Sequence, residues 1–501
     1  MSESTKKEEI PFDKAFFDDN PDKLPVVRIT KAELNGFKSV NHGKIVFNCG
    51  KQFVPHGTIP DILGIYGQNG SGKTSFIQAL SILERTMSGR SVSETYSDCV
   101  SVNNNESTLK FSFELQYDNG EIRQVEYKFS IKKEELSKEE IERKIMETLA
   151  DRKEENGSFS ILREMLKYRV RIFNEVVKLT QIKDGLKKKS QIIISTSDKC
   201  KPFGPSKKLR ELIGTKKETR IKLSVYKEEL DSQPKSFIFN EKILKEIIGC
   251  ELAPTYYETL MALRYFAKYR LFVIDTRPTG MIGLNIFLPV HTKKGVMMKD
   301  LWPESTSEKN YEKESRLFSN ISLVLSQIVP GLSIELKKMS PTITAKGESG
   351  YSTMLVANRN GTEIPLRDES DGIRKIISIL TLITAAYNDP SITIAVDELD
   401  AGIFEYLLGE ILSSFEESGK GQLIFTSHNL RPLEVINKKF LVFTTTNPDN
   451  RYYRFKDVAS TNNLRSKYYH EIIVGEQDEE LYNRTKRSKI EAAMEKAYEE
   501  Q

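Results

Sequence analysis

Apolar positions along the chain change their period several times, and the changes divide it. "VVRITKAELNGFKSVNHGKIVFN" alternates and predicts two strands around a turn at Asn41-His42-Gly43. "DILGIYGQNGSGKTSFIQALSILE" reads as an apolar strand, a glycine-rich turn and a helix with Phe76, Ile77 and Leu80 at helical spacing. "STLKFSFELQYDNGEIRQVEYKFSI" alternates on both sides of Asp118-Asn119-Gly120, a β-hairpin pattern. Beyond Lys132 the period becomes helical. Ser137 and Glu140 form a capping box ahead of Ile141, Ile145 and Leu149. A longer helix is predicted over about 158–183 from a stripe of Leu162, Met165, Leu166, Phe173, Val176 and Val177. Helical spacing continues in "NEKILKEIIG" and "TYYETLMALRYFAKY". Strand signals return at "LFVIDT", "LSIELKKM", "STMLVANRNGTEIPL", "SITIAVDE" and "GQLIFTSHN".

These periods predict an α/β core that is split in sequence by a mostly helical insertion. The expected boundaries are a tail over 1–24, a first lobe over 25–130, the insertion over 131–270, a second lobe over 271–445 and a C-terminal cap over 446–501. The 501 residues, 38% hydrophobic and 29% charged, suffice for two or three domains with a heavily charged surface. A net charge of +4 neither requires nor excludes a polyanionic partner. Cys49, Cys99, Cys200 and Cys250 lie far apart with no metal-ligand spacing, which points to a reducing compartment. No apolar run approaches the roughly 18 residues of a membrane span. The start, "MSESTKKEEIPFDKAFFDDN", lacks a signal-peptide pattern, so the expectation is a cytoplasmic protein with no membrane contact.

The chemistry concentrates in three short stretches. Gly67, Gln68, Asn69, Gly70, Ser71, Gly72, Lys73 and Thr74 match G-x-x-x-x-G-K-[ST] in full, and the motif, which Ser75 follows, sits between a strand and a helix as it should. Such a loop turns backbone N–H groups toward phosphate oxygens, and the helix N-terminus adds its positive end. Lys73 is expected on the β- and γ-phosphates of ATP and Thr74 on Mg²⁺. "SITIAVDELD" carries Asp397 to the C-terminal end of an apolar strand, where open α/β sheets bind ligands. Asp397 is expected to hold the Mg²⁺ through water, and Glu398 to act as general base toward the attacking water. "QLIFTSHN" ends in His428, a candidate sensor of the γ-phosphate; a His just past a strand is also often a plain surface residue.

"RDESDGIRKIISILTLI", from Arg367 to Ile383, opens a helix on Ser370, Asp371 and Gly372 about 25 residues before Asp397. Ser370 or Asp371 can serve simply as a helix cap. The set "NGFKSV", "GQNGSGKT", "ESDGIRK", "VDELDAG" and "TSHN" resembles the SMC and RecF branch of the ATP-binding-cassette superfamily. In more detail it resembles stand-alone OLD-type ATPases of bacteria, including the ATPase subunits of anti-phage systems such as Septu and PARIS. The resemblance covers roughly 25–130 and 270–445 and implies a P-loop NTPase fold with an ATP-binding-cassette head. It also implies a nucleotide-sandwiched homodimer, or a higher homo-oligomer. The signature Ser370, Asp371 and Gly372 of one subunit would then cap ATP held by another. By the same resemblance Lys38 approaches the nucleotide phosphates, and Asp400 and Gly402 lie in a loop facing the second subunit. Two departures stand out: many relatives carry "DExxxGLHP" where this chain has "DELDAGIFEY", and the lid glutamine has two candidates, Gln116 and Gln124, both of which also suit plain strand positions.

OLD-type proteins often carry a C-terminal Toprim nuclease. "HEIIVGEQDEELY", with Glu476 and Asp478, has the look of its first acidic strand, but too few residues follow for the rest, so no nuclease is expected in this chain. From Gln181 to Lys222 thirteen Lys and Arg face four Asp and Glu. The tract suits either nucleic-acid contact or a solvated, protein-docking face. The function expected from these signals is a Mg²⁺-dependent regulatory ATPase that controls a separately encoded effector in bacterial anti-phage defence. The alternative is a DNA-binding repair or replication ATPase of RecF/SMC type. The insertion and the degenerate signature argue against a transporter ATPase.

Overall fold

The computed structural model describes residues 12–18, 23–47, 59–101, 106–143, 168–183, 186–195, 225–226, 229–230, 233–248, 254–275, 287–292, 295–345, 347–455, 464–474, 478–483 and 485–499. Two sheets, each of six described strands, form the frame. One is antiparallel, in the spatial order Val40–Val46, Val26–Phe37, Glu106–Gln116, Ile122–Glu135, Tyr168–Lys183 and Leu186–Ser195. The other runs Tyr452–Tyr453, Leu441–Thr444, Asp61–Tyr66, Gln422–Thr426, Thr393–Val396 and Leu271–Ile274, parallel except for its Tyr452–Tyr453 edge. The parallel sheet joins one early strand to strands from the second half, so the core is split in sequence as the pattern implied.

The parallel strands are short and mostly apolar because both faces are covered. In Asp61–Tyr66, Leu63 and Ile65 point into one hydrophobic cluster, with the helices Lys73–Met87 and Pro254–Tyr269 and the antiparallel sheet. Ile62 and Tyr66 point into the other, with the helices Asp371–Asn388 and Glu405–Ser418. A smaller antiparallel sheet of Glu304–Ser307, Ser349–Arg359, Leu332–Ile343 and Thr362–Pro365 packs under the helix Glu308–Ile328 and completes that second cluster. A buried polar seam stitches the two large sheets. The Gln422 amide accepts from Ile29 N–H at 3.2 Å and donates to the Ile29 carbonyl at 2.9 Å and to Asp61 at 2.7 Å. Arg28 donates to the Lys420 carbonyl at 2.7 Å. Among the described residues no helix is long and apolar enough to cross a membrane.

Three expectations need correction. Residues 168–183 are a strand, not the C-terminal half of a helix, and with Leu186–Ser195 they extend the first sheet. The stripe of Phe173, Val176 and Val177 imitated a helical period because a bulge interrupts the alternation. The register slips between Lys128 and Ser130 of the neighbouring strand, and Asn174 adopts φ +51°. The bulge turns Glu175 inward, where it accepts from Tyr127 Oη at 2.7 Å, Phe237 N–H at 2.7 Å and the Ser236 hydroxyl. Burial pushes its carboxyl above the usual range, against the pull of these donors. The described part of the insertion is therefore strand and helix together, although the helices Glu241–Ile248 and Pro254–Tyr269 and the Ser137–Glu140 capping box are present. The first hairpin turns at Lys38-Ser39, not at Asn41-His42-Gly43. Gly43 lies within the second strand opposite Leu34, where the Tyr452 ring would clash with a Cβ at 2.6 Å. "HEII" ends the helix Leu464–Ile473 rather than beginning a strand. Glu476 and most of the 181–222 basic tract lie outside the described residues.

Candidate nucleotide site

The P-loop leaves the strand Asp61–Tyr66 through glycines whose backbones no other residue adopts easily. Gly67 has φ +151°, and a Cβ there would fall 1.7 Å from Thr444 Oγ1 on the adjacent strand. Gly72, at φ +97°, is the N-cap of Lys73–Met87 and offers no side chain to the first helical turn. The loop is braced from outside. The Ser71 hydroxyl meets the Gln68 carbonyl and Thr444 Oγ1, and Thr444 itself donates to the Tyr66 carbonyl at 3.2 Å. Tyr452 Oη donates to the Gly72 carbonyl at 2.9 Å. Asn483 N–H donates to Gln68 Oε1 at 3.0 Å, so the C-terminal segment touches the loop.

Lys73 is buried at 5% exposure, and its Nζ donates to the Gly67 and Gln68 carbonyls at 2.7 and 3.0 Å. Burial lowers its pKa, while Asp397, Glu398 and Asp400 oppose that shift. The strand Gln422–Thr426 lies between the P-loop strand and the acidic strand. Its Thr426 hydroxyl donates to Asp397 Oδ1 at 2.6 Å and accepts from Glu398 N–H at 2.7 Å. Asp397 is 2% exposed, and Glu398 sits in the left-handed region at φ +48°. Asp400 Oδ2 accepts from the N–H groups of His428 and Asn429 at 3.1 and 2.9 Å, which fixes the His428 turn to the acidic loop.

These elements line an open cleft of about 720 Å³. Of the residues singled out from sequence, Lys38, Asn69, Gly70, Gly72, Lys73, Thr74, Ser75, Glu398, Asp400 and His428 line it. Lys38 arrives there because the first hairpin turns on it, at φ +50°, with its Nζ 3.6 Å from Asp98. Gly67, Gln68 and Ser71 build the loop behind the cavity rather than its wall, and Asp397 lies beneath, held by Thr426. Ser370 and Gly372 are not in the wall. Ser370 is exposed, and its hydroxyl accepts from Ile373 N–H at 3.4 Å as an N-cap. Gln116 donates to Glu114 at 3.0 Å, and Gln124 lies opposite Glu114 in the next strand; neither lines the cavity. Sequence reasoning missed Ser39 and Ala401 in the wall and Thr426, Thr444 and Tyr452 behind it. Only Thr426 had a local signal, its place two residues ahead of His428 in "TSHN".

A strand–loop–helix cradle with a buried lysine, opposed by two acids at the end of the next strand but one, defines a P-loop nucleotide-binding protein of α/β class. A family model described as an AAA ATPase domain matches residues 28–431, and the chain belongs to that family. Solved structures similar to it include the Smc head bound to the C-terminal winged-helix domain of ScpA, at 16% identity and a TM-score of 0.35 over 85% of this chain and 97% of that one. A second is the Smc head domain with an extended coiled coil bound to the C-terminal domain of ScpA, derived from Pyrococcus furiosus, at 13%, 0.36, 86% and 96%. A third is the recombination mediator protein RecF with ATP, at 12%, 0.31, 80% and 93%. Likenesses this loose carry no residue roles across. No curated protein matches the sequence.

Proposed function

We propose that the chain is a Mg²⁺-dependent ATPase that works as a nucleotide-sandwiched dimer and switches a separately encoded effector in bacterial anti-phage defence. The observation that carries the ATPase part is the convergence of Lys73, Thr74, Glu398 and His428 on one cavity from three separate stretches of chain. The cradle suits a triphosphate. Gly70 at φ +77° has nothing within 4 Å of a Cβ position, so its backbone is open to a ligand, and Gly72 leaves the first helical N–H groups uncapped. Thr74 and Asp397 offer the hard oxygens Mg²⁺ prefers; the ion would supply charge neutralisation at the β- and γ-phosphates. Lys73 binds those phosphates. Glu398 accepts the proton of the attacking water as its oxygen bonds to the γ-phosphorus and the β–γ bridging bond breaks, which leaves ADP and phosphate. His428 orients the γ-phosphate, and Ser370, Asp371 and Gly372 of a second subunit close the site.

The defence and effector parts rest on the motif resemblance, together with an insertion far too short for the long coiled coil of a chromosome-organising SMC protein. The purified chain should bind ATP and hydrolyse it with Mg²⁺ but not with EDTA; no binding and no turnover would overturn the reading. The basic surplus of 181–222 favours the RecF/SMC-type reading instead. ATPase activity stimulated by DNA, and lost when that tract is neutralised, would select it.

A further inference from the structure

The first turns of the helix Asp371–Asn388 carry two cations, Arg374 and Lys375, at the end where the macrodipole disfavours them. Each is committed to a backbone carbonyl. Arg374 donates to the Arg367 carbonyl at 2.6 Å, across the turn that leads into its own helix. Lys375 reaches to another loop and donates from Nζ to the Glu398 carbonyl at 2.6 Å. Glu398 needs such support. A non-glycine residue in the left-handed region is strained and persists only where its surroundings hold it. Thr426 holds its N–H from the neighbouring strand, and Ala401 N–H and Lys375 hold its carbonyl.

A second contact joins the same two segments. A Cβ on Gly372 would lie 3.0 Å from the Gly402 carbonyl, and one on Gly402 would lie 3.0 Å from Gly372 Cα. The two backbones touch, and neither position accepts a side chain without separating them. The turn at Ser370–Gly372 and the loop Glu398–Gly402 of one subunit are thus welded twice. Burial lowers the Lys375 pKa, opposed by Asp400, Glu398 and Asp397, the same acids that oppose the shift at Lys73.

We propose that Lys375 is a positioning residue: it holds the Glu398 main chain in its left-handed turn and ties the 370–372 helix start to the catalytic loop of the same subunit. Lys375 does not line the nucleotide cavity, so it acts through Glu398 and not on the substrate. The inference rests on the reading of Glu398 as the base. It adds a route by which whatever touches the 370–372 turn alters hydrolysis in the site of the subunit that bears it.

The test compares Lys375→Met, Lys375→Arg and Glu398→Gln in the full chain, by single-turnover ATP hydrolysis, ATP affinity and melting temperature. A displaced base lowers the rate while leaving the phosphate cradle intact. Lys375→Met should therefore hydrolyse about 10–100-fold more slowly, with affinity within about twofold of the parent. Lys375→Arg, which still delivers a donor on a long stem, should recover most of the rate. Glu398→Gln must be inactive for the result to count: normal turnover there overturns the base assignment and the clamp with it. If Glu398→Gln is inactive while Lys375→Met turns over normally, the clamp alone is wrong. If rate, affinity and melting temperature fall together in both Lys375 variants, Lys375 is a structural residue only, and the proposal fails.

Discussion

The P-loop and the Ser370–Gly372 turn are built from the same materials, small residues at the start of a helix, and they finish that helix in opposite ways. At the P-loop the N-cap is Gly72, in the left-handed region, with no side-chain cap. The nearby Ser71 turns its hydroxyl away, to Gln68 and Thr444. The first N–H groups and the positive end of the dipole are left for a ligand, and Lys73 waits beside them. At the other turn the N-cap is Ser370 in extended conformation, its hydroxyl already on Ile373 N–H, while the Glu369 carboxylate accepts from Ser370 N–H at 3.3 Å. The first leaves its helix start open to an anion within one chain. The second is locally satisfied and exposed, so an anion bound there has to be brought by another molecule and has to compete with the cap.

The largest effects should separate the two roles inside the complete site. Lys73→Ala removes a buried cation of the cradle and should lower ATP affinity by about 10²–10³-fold, read by equilibrium binding. Glu398→Gln should keep affinity close to the parent, lose at least about 10²-fold in turnover and accumulate the ATP-bound dimer, read by ATP retention and mass in solution. Normal hydrolysis by Glu398→Gln would remove the base from this account.

The next effect tests the backbone half of the P-loop. In Gly67→Ala the new methyl falls on Thr444 Oγ1, and the loop must shift away from the strand end that braces it. An affinity loss of about tenfold or more is expected. Gly70→Ala meets no atom within 4 Å and carries only the penalty of its φ of +77°, roughly 1 kcal/mol. Equal losses from the two would mean that the close approach at Gly67 is not what shapes the cradle.

Much of the complete site was legible because its chemistry is local. Eight consecutive residues from Gly67 to Thr74 specify turn, cation and the proposed metal ligand, and the strand pattern around Asp397 and His428 placed them at the same end of the sheet. What stayed hidden was set by contacts far apart in sequence. Thr444 is chosen by the shape of Gly67, and Lys375 by the carbonyl of Glu398, and no spacing reports either. The fold failed to read through at 168–183 for a related reason. The bulge at Asn174–Glu175 shifts the strand's alternation by one residue, and only the buried donors that Glu175 serves show why it is there. At the first hairpin, Asn-His-Gly looks like the better turn, yet the close Tyr452 ring explains Gly43 and the turn forms on Lys38.

A smaller effect asks whether the exposed turn works on a neighbour. Lys73→Ala and Ser370→Arg should each be inactive alone and should complement when mixed. Random exchange at equal amounts makes about half the dimers mixed, each with one of two sites intact, so about a quarter of normal ATPase activity should return if the sites are independent. Once exchange is shown with tagged parent protein, a mixture no more active than either variant would remove the trans role.

The smallest expected change is the sharpest for the comparison. Ser370→Ala deletes the hydroxyl and adds no bulk. If Ser370 is only a cap, the variant should lose about 0.5–1 kcal/mol of stability, with ATPase activity per folded molecule unchanged. The low end is expected, because the bond to Ile373 N–H is long at 3.4 Å and the position is exposed. If the same hydroxyl also reaches a partner's γ-phosphate, the order reverses: the stability change stays that small while turnover falls about tenfold, the weight of one lost donor to a developing charge. Denaturant titration without nucleotide and steady-state turnover with it, on one preparation, give both numbers. Because the cap contributes whether or not a second subunit is present, stability reads the local role and turnover reads the shared one. A variant that loses about 1 kcal/mol and nothing else would reduce Ser370 to a helix cap and leave the P-loop alone as the proposed anion site.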